Sequence, residues 1–245
     1  MSFSDDEVER YARHLVLREI GGPGQQRLKG ARVLIVGAGG LGAPAALYLA
    51  AAGVGEIAIV DPDTVALSNL QRQVLYETGD EGASKVARAA ARLATLNPNV
   101  RIEPLDTTLD DANARTLVAG RDLVLDGTDS FATRFSVNAA CVAEGAPLVS
   151  GAIGRWTGQV GVFVGKPCYR CLVPEIPPDA ETCSAVGVVG ALAGVVGSIM
   201  ALEAVKLIAD AGEPLVGRLL IYDALAAEVR TVRIGADPEC PVCGG

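Results

Sequence analysis

Arg32-Val33-Leu34-Ile35-Val36-Gly37-Ala38-Gly39-Gly40-Leu41-Gly42 is the stretch that decides how this chain folds. Residues 31–36 form a short β-branched run, which predicts a strand, and the glycines after it match G-x-G-x-x-G at Gly37, Gly39 and Gly42. An alanine-rich segment to about Ala52 predicts a helix, and Glu56–Val60 a second strand stopped by Asp61-Pro62. Strand, glycine turn, helix, strand is a mononucleotide-binding half of a Rossmann-like, doubly wound α/β sheet. Downstream the alternation continues, with a helix expected over 84–96, a strand over 100–105, a strand at Leu123–Asp126, a helix at Phe131–Glu144 and a strand over 147–150. After Gly154 the pattern changes: strands expected over 159–164, 218–222 and Glu228–Arg233 read as an antiparallel C-terminal extension of a mostly parallel sheet. Upstream, Ser4-Asp5-Asp6-Glu7 reads as a capping box opening a helix with Tyr11, Leu15 and Leu17 on its apolar side. Gly21-Gly22-Pro23-Gly24 reads as a flexible connection. No internal repeat or low-complexity linker interrupts the 245 residues. They divide into a helical arm (1–30), a nucleotide-binding core (31–154) and a C-terminal region (155–245) of one domain.

Half of the residues are apolar and a fifth charged, enough to bury a sizeable core. The 21 Lys+Arg against 29 Asp+Glu give a net charge of −8, which argues against sequence-independent binding of nucleic acid. Residues 1–7 are acidic and lack the basic and apolar regions of a signal peptide, so a cytoplasmic location is expected. The unbroken apolar, glycine and serine run 186–202 is marginal for a membrane span; Glu203 and Lys206 follow in the same helical pattern, which favours a buried helix.

The glycine turn lets backbone N–H groups approach phosphates, and Asp61, at the end of the second strand, can accept from ribose hydroxyls. Alone, this pattern also fits a nicotinamide or flavin oxidoreductase, which is its commoner meaning. Beyond it, Ser68-Asn69-Leu70-Gln71-Arg72-Gln73 and then Lys85 bring two cations and several polar groups, which suit a triphosphate better than a dinucleotide. No P-loop motif is present. The plain alternative is that Arg72 and Lys85 are solvated surface charges. Asp126-Gly127-Thr128-Asp129 follows an apolar strand; Asp129 is a candidate ligand for the Mg²⁺ that accompanies ATP, and Asp126 a structural turn residue.

Six cysteines occur, four of them as Cys-x-x-Cys pairs, Cys168/Cys171 and Cys240/Cys243, and these read as a structural Cys₄ zinc site pinning the tail to a mid-chain loop. Disulfides or a redox dithiol are the alternative. Cys141 reads as a small buried hydrophobe and His14, the only histidine, as a surface residue of the first helix. Cys183 stands in a loop rich in proline and acidic residues, where it is either a nucleophile or a tolerated surface thiol.

Together these residues resemble the MoeB/ThiF family of adenylyltransferases, relatives of ubiquitin-activating enzymes, and most of all its molybdopterin-synthase branch. The resemblance is carried by Arg10-Tyr11-x-Arg13 with Gly24-Gln25, by the glycine stretch, Asp61-x-Asp63, the run from Leu67 to Gln73, Lys85, Asp126-x-Thr-Asp129, both cysteine pairs and Thr182-Cys183. It implies a homodimer in which Gly40, Asp61, Ser68, Asn69, Arg72, Lys85 and Asp129 bind ATP and Mg²⁺. Gln73 and Ser130 stand beside them, and Arg13 reaches the partner subunit's nucleotide. Ser130 departs from the family, which usually has Asn there. The implied reaction is adenylylation of the C-terminal Gly-Gly carboxylate of a ubiquitin-like sulfur-carrier protein of the MoaD type, ahead of thiocarboxylation in molybdopterin biosynthesis. Region 155–245 would then bind the carrier. No rhodanese-like domain follows Cys243, so a separate sulfur donor is expected. In some members a cysteine at the Cys183 position carries the acyl group or sulfur. The alternatives are a ThiF-like activator of a ThiS-type carrier for thiamine, an NAD-dependent oxidoreductase and a non-catalytic zinc-binding module.

Overall fold

The computed structural model describes residues 2–176 and 187–244. The first motif is built as its sequence demands. The strand β1 (Arg32–Val36) runs into the glycine turn, α4 (Gly42–Ala51) returns the chain, and β2 (Glu56–Val60) lies parallel to β1, with Val33 opposite Ile57 and Ile35 opposite Ile59. Then follow α5 (Lys85–Leu96), β3 (Arg101–Leu105), α6 (Ala114–Val118), β4 (Leu123–Asp126), α7 (Phe131–Glu144) and β5 (Leu148–Gly154). β6 (Thr157–Phe163), the short α8 (Tyr169–Leu172), α9 (Gly190–Ala209), β7 (Arg218–Asp223) and β8 (Glu228–Arg233) complete the described chain.

All eight strands form one sheet in the order β3-β2-β1-β4-β5-β6-β7-β8. The first five are parallel; β5 turns tightly into β6, and from there every pairing is antiparallel. The inner parallel strands β2, β1 and β4 are covered on both faces and are largely apolar in both directions, whereas the edge strand β3 is only partly buried. In β1, Val33 and Ile35 face a layer containing Leu49, Leu93, Leu192 and Met200, whereas Leu34 and Val36 face one containing Val118, Val137 and Leu148. At the other end of the sheet, β8 is exposed along its whole length.

Among the described residues, α9 is the one helix long and apolar enough to cross a membrane. It lies against the sheet instead, with Leu192, Val196 and Met200 fully buried. A Cβ on Gly197 would sit 2.5 Å from the Leu41 carbonyl oxygen, so glycine lets the helix cross the start of α4 at backbone contact. Glu203 is buried too, and accepts from the Leu215 N–H at 2.6 Å and from the Lys206 ammonium at 2.5 Å.

The N-terminal arm departs from expectation. The capping box at Ser4 is present, but α1 (Asp5–Arg10) ends at Tyr11 and a separate turn, α2 (Ala12–Leu15), carries Arg13 and His14. Tyr11 is buried, whereas Leu17 is 45% exposed. Gly21-Gly22-Pro23-Gly24 is no loose connection: it opens α3 (Gly21–Gly30), with Pro23 in the first turn, where its missing N–H costs nothing. His14 is half-buried and pairs through Nδ1 with Gln25 Oε1 at 2.9 Å, while Gln25 Nε2 donates to the Ala52 carbonyl at 2.8 Å.

Candidate active site and metal centre

The sheet order reverses between β1 and β4, and the crevice there opens at the carboxyl ends of both strands, where doubly wound sheets take their ligands. It is a cavity of about 490 Å³. The glycine turn forms one wall through Gly37, Gly39 and Gly40; Asp61, Asp63, Asn69, Arg72, Gln73 and Lys85 supply another; Asp129, Ser130, Thr133 and Arg134 close the far side. Gly37 adopts φ +91°, which favours glycine. Gly42 does not line the cavity; it stands behind the turn, where a Cβ would meet the Gly37 carbonyl oxygen at 1.8 Å.

The polar wall is tightly wired. Asp61 Oδ2 accepts from the Ala38 N–H at 2.8 Å, and Oδ1 accepts from the Asp63 N–H at 2.9 Å. Lys85, at the first position of α5, is 4% exposed, with its Nζ 2.8 Å from Asp63 Oδ2 and 4.0 Å from Asp61 Oδ1. A solvated surface charge it is not. A buried cation costs several kcal/mol unless it is paired, and these two carboxylates supply the pairing. Arg72 is half-buried and donates to the Ser68 carbonyl at 3.2 Å. Ser68 is itself exposed and does not line the cavity. Ser130 serves as the N-cap of α7, its hydroxyl accepting from the Thr133 N–H at 3.3 Å.

Asp126 has the structural role expected of it. Its Oδ1 accepts from the Thr128 N–H at 3.0 Å and the Thr128 hydroxyl at 2.8 Å, and its Oδ2 from the Ser150 hydroxyl at 2.9 Å. Beside it lies a residue that the sequence did not single out. Arg134 is buried on α7, 3.4 Å from Asp126, and donates to Ser150 Oγ at 3.0 Å, to the Gly151 carbonyl at 2.7 Å and to the Thr128 carbonyl. Burial is the largest single influence and opposes its charge, but Asp126, Tyr169 and Asp129 together outweigh it and raise its pKa above the usual arginine value. The signal was an arginine eight residues after a strand-terminal aspartate, on the inward face of the next helix. Tyr76 was missed as well; its buried hydroxyl donates to the Ala38 carbonyl at 2.7 Å. Arg13, on α2, is exposed and is not a lining residue of the cavity. Cys183 lies outside the described residues.

A second cluster forms where the tail meets α8. The four sulfurs of Cys168, Cys171, Cys240 and Cys243 lie within 4.8 Å of one another, with Cys168 and Cys240 at 3.6 Å and Cys171 and Cys243 at 3.4 Å. Zinc–sulfur bonds of about 2.3 Å in a tetrahedron place sulfurs about 3.8 Å apart, so the arrangement fits that ion. All four are free thiols, and the close pairs join opposite knuckles instead of the two cysteines of one motif. The Asp237 N–H points at Cys171 Sγ from 3.4 Å. Cys141 is buried in α7, where burial raises its thiol pKa and leaves it a small hydrophobe.

The sequence pattern of the ThiF family matches residues 11–242. The chain belongs to the ThiF family. Among family relatives, the sulfur carrier protein adenylyltransferase of Thermus thermophilus is 48% identical over 253 residues, covering 100% of this chain and 93% of that protein. The molybdopterin-synthase adenylyltransferase of Escherichia coli is 47% identical over 244 residues, covering 98% of each. The crystal structure of E. coli MccB with MccA-N7isoASN superposes at a TM-score of 0.87 with 22% identity, covering 100% of this chain and 76% of that one. That likeness establishes the shared fold. Membership of the ThiF family sets aside the oxidoreductase and the non-catalytic module.

Proposed function

We propose that this ThiF-family adenylyltransferase uses ATP to activate the C-terminal Gly-Gly carboxylate of a ubiquitin-like sulfur carrier, which then accepts sulfur from a separate donor in molybdopterin biosynthesis. One observation carries the reading: Asp61, Arg72, Lys85 and Asp129 converge on a single cavity at the turn of a doubly wound sheet. The names of the relatives in Thermus and E. coli support the same substrate class.

ATP would lie along the glycine turn with its ribose toward Asp61 and its phosphates toward Arg72 and Lys85. A carboxylate oxygen of the carrier attacks the α-phosphorus in line, the bond to the bridging oxygen breaks, and pyrophosphate leaves an acyl-adenylate behind. The nucleophile is already ionised at neutral pH, so positioning and charge neutralisation matter more than a base. Asn69 and Gln73 complete the polar wall. Mg²⁺, when bound at Asp129, neutralises phosphate charge. Arg13 would complete the site of a partner subunit in a homodimer, and Ser68 shapes it through the contact to Arg72. The four cysteines hold a structural zinc, and the enzyme works in the cytoplasm.

ATP–pyrophosphate exchange with purified ubiquitin-like carriers tests this. Exchange that depends on a MoaD-type carrier supports the reading; exchange with a ThiS-type carrier alone moves the enzyme to thiamine synthesis. Exchange with neither overturns the substrate class.

A further inference from the structure

Asn138 is 1% exposed, halfway along α7, and no part of the proposed chemistry uses it. A buried carboxamide must find partners for both its ends. Here both go to one short segment. The Oδ1 accepts the Tyr169 N–H at 2.8 Å, and the Nδ2 amide points at Cys168 Sγ from 3.5 Å. The contacts therefore fall on one of the four metal-ligating sulfurs and on the residue that follows it. The ring of Tyr169 packs against Phe135 at 6.2 Å and Phe163 at 5.7 Å, which fixes the knuckle from its other side.

We propose that Asn138 is the positioning residue of the metal centre: its amide orients the Cys168 thiolate and offsets part of its negative charge. The inference rests on the zinc reading of the cysteine cluster. Four thiolates around a divalent cation leave a net charge of −2, and Cys168, fully buried, has the least help from water. An N–H donor aimed at such a sulfur stabilises the deprotonated ligand, as outer partners do at metal sites generally. The Asp237 N–H does the same for Cys171, so both sulfurs of the Cys168/Cys171 pair receive a donor from outside that pair. The donor for Cys168 comes from α7, one turn after Arg134, so the helix that carries Arg134 also holds the metal ligand in register.

Asn138→Asp is the discriminating substitution, since it is nearly isosteric, keeps an oxygen for the Tyr169 N–H and turns the donor to sulfur into an acceptor oxygen that repels the thiolate. Zinc content of the wild-type chain is measured first; a wild type without zinc overturns the metal reading itself. Given about one zinc per chain, the Asp variant, still folded by circular dichroism, should release zinc to a chromogenic chelator roughly 10- to 100-fold faster. The cobalt-substituted variant should also show shifted thiolate-to-metal charge-transfer bands. Wild-type release together with an unchanged cobalt spectrum overturns the role of Asn138. Should the variant not fold, cadmium-113 in the wild-type chain decides: scalar coupling between the metal and an asparagine side-chain amide supports the contact, and its absence refutes it.

Discussion

The hydroxyl of Tyr76 donates to the Ala38 carbonyl at 2.7 Å, on the opposite side of the residue whose N–H is held by Asp61 at 2.8 Å. The central residue of the glycine turn is thus gripped at both its polar groups. Tyr76 itself is buried, and its pKa is driven up by burial and by the charges of Asp61 and Asp80, so it is a donor at neutral pH. Tyr76→Phe should leave a buried carbonyl without its partner, at a cost of about 1–3 kcal/mol, and loosen the turn. The expected result is weaker ATP binding by calorimetry, with the KM for ATP raised and kcat for exchange changed little. An equal loss in kcat would place Tyr76 in the chemistry instead.

Asp129→Ala and Lys85→Ala should abolish exchange, whereas Asp61→Ala should mainly weaken nucleotide binding. The first two remove charge that counts most as pyrophosphate departs; the third removes a contact made equally in ground and transition states. Because Asp61 also anchors the turn through Ala38, its loss should cost stability too, which a thermal melt without nucleotide would register. Exchange kinetics with and without saturating ATP separate the cases.

Glu7 links acid stability to the N-terminal arm. Its carboxylate lies 2.8 Å from the Lys29 ammonium and accepts from the Ser4 N–H at 2.8 Å, and these two contacts hold its pKa below the usual 4.5 despite burial. A carboxylate with a lowered folded pKa stabilises the fold fully above the unfolded value, and loses that contribution as pH falls from there through the folded value. Glu7→Gln should therefore be less stable than wild type at neutral pH, and the gap should close below about pH 4.5. Urea melts across pH 3–7 measure it; a gap independent of pH would show that the pair adds nothing through charge.

Arg13 is exposed on α2 and is not one of the residues lining the cavity of its own chain. Mixing inactive Arg13→Ala and Asp129→Ala proteins should restore a fraction of exchange, since some mixed dimers hold one intact site. No recovery, with subunit exchange confirmed by mass spectrometry, would place Arg13 in the site of its own subunit.

The parallel half of the sheet was legible because its strands announce themselves: short β-branched runs, each ended by glycine, proline or aspartate, with helices between. The antiparallel strands were legible to within two residues, as with β6, expected over 159–164 and found at Thr157–Phe163. Apart from the paired cysteines, whose spacing announces them, what could not be read was a residue whose meaning depends on a distant partner. Arg134 and Asn138 look like the wet side of an amphipathic helix until β5 brings Ser150 and Gly151 to one and α8 brings Cys168 to the other. The arm failed for a related reason. Four residues containing three glycines read as slack, yet Gly24 packs on Ile20 and Ala209, and Arg27 reaches the carbonyl of Ala209, 182 residues further along the chain. Tertiary packing overrode propensity there.

Each close cysteine pair joins residues 72 apart. With a metal held between them, everything from α8 to the tail becomes a closed ring, and α9, β7 and β8 all lie on it. Closing a loop of that size removes about 4 kcal/mol of freedom from the unfolded chain on a chain-entropy reckoning. A ring also behaves differently when cut: a backbone severed once between Cys171 and Cys240 has two ends but remains one object, fastened at the metal. A chelator, and not the protease, would then be what sets the two pieces apart.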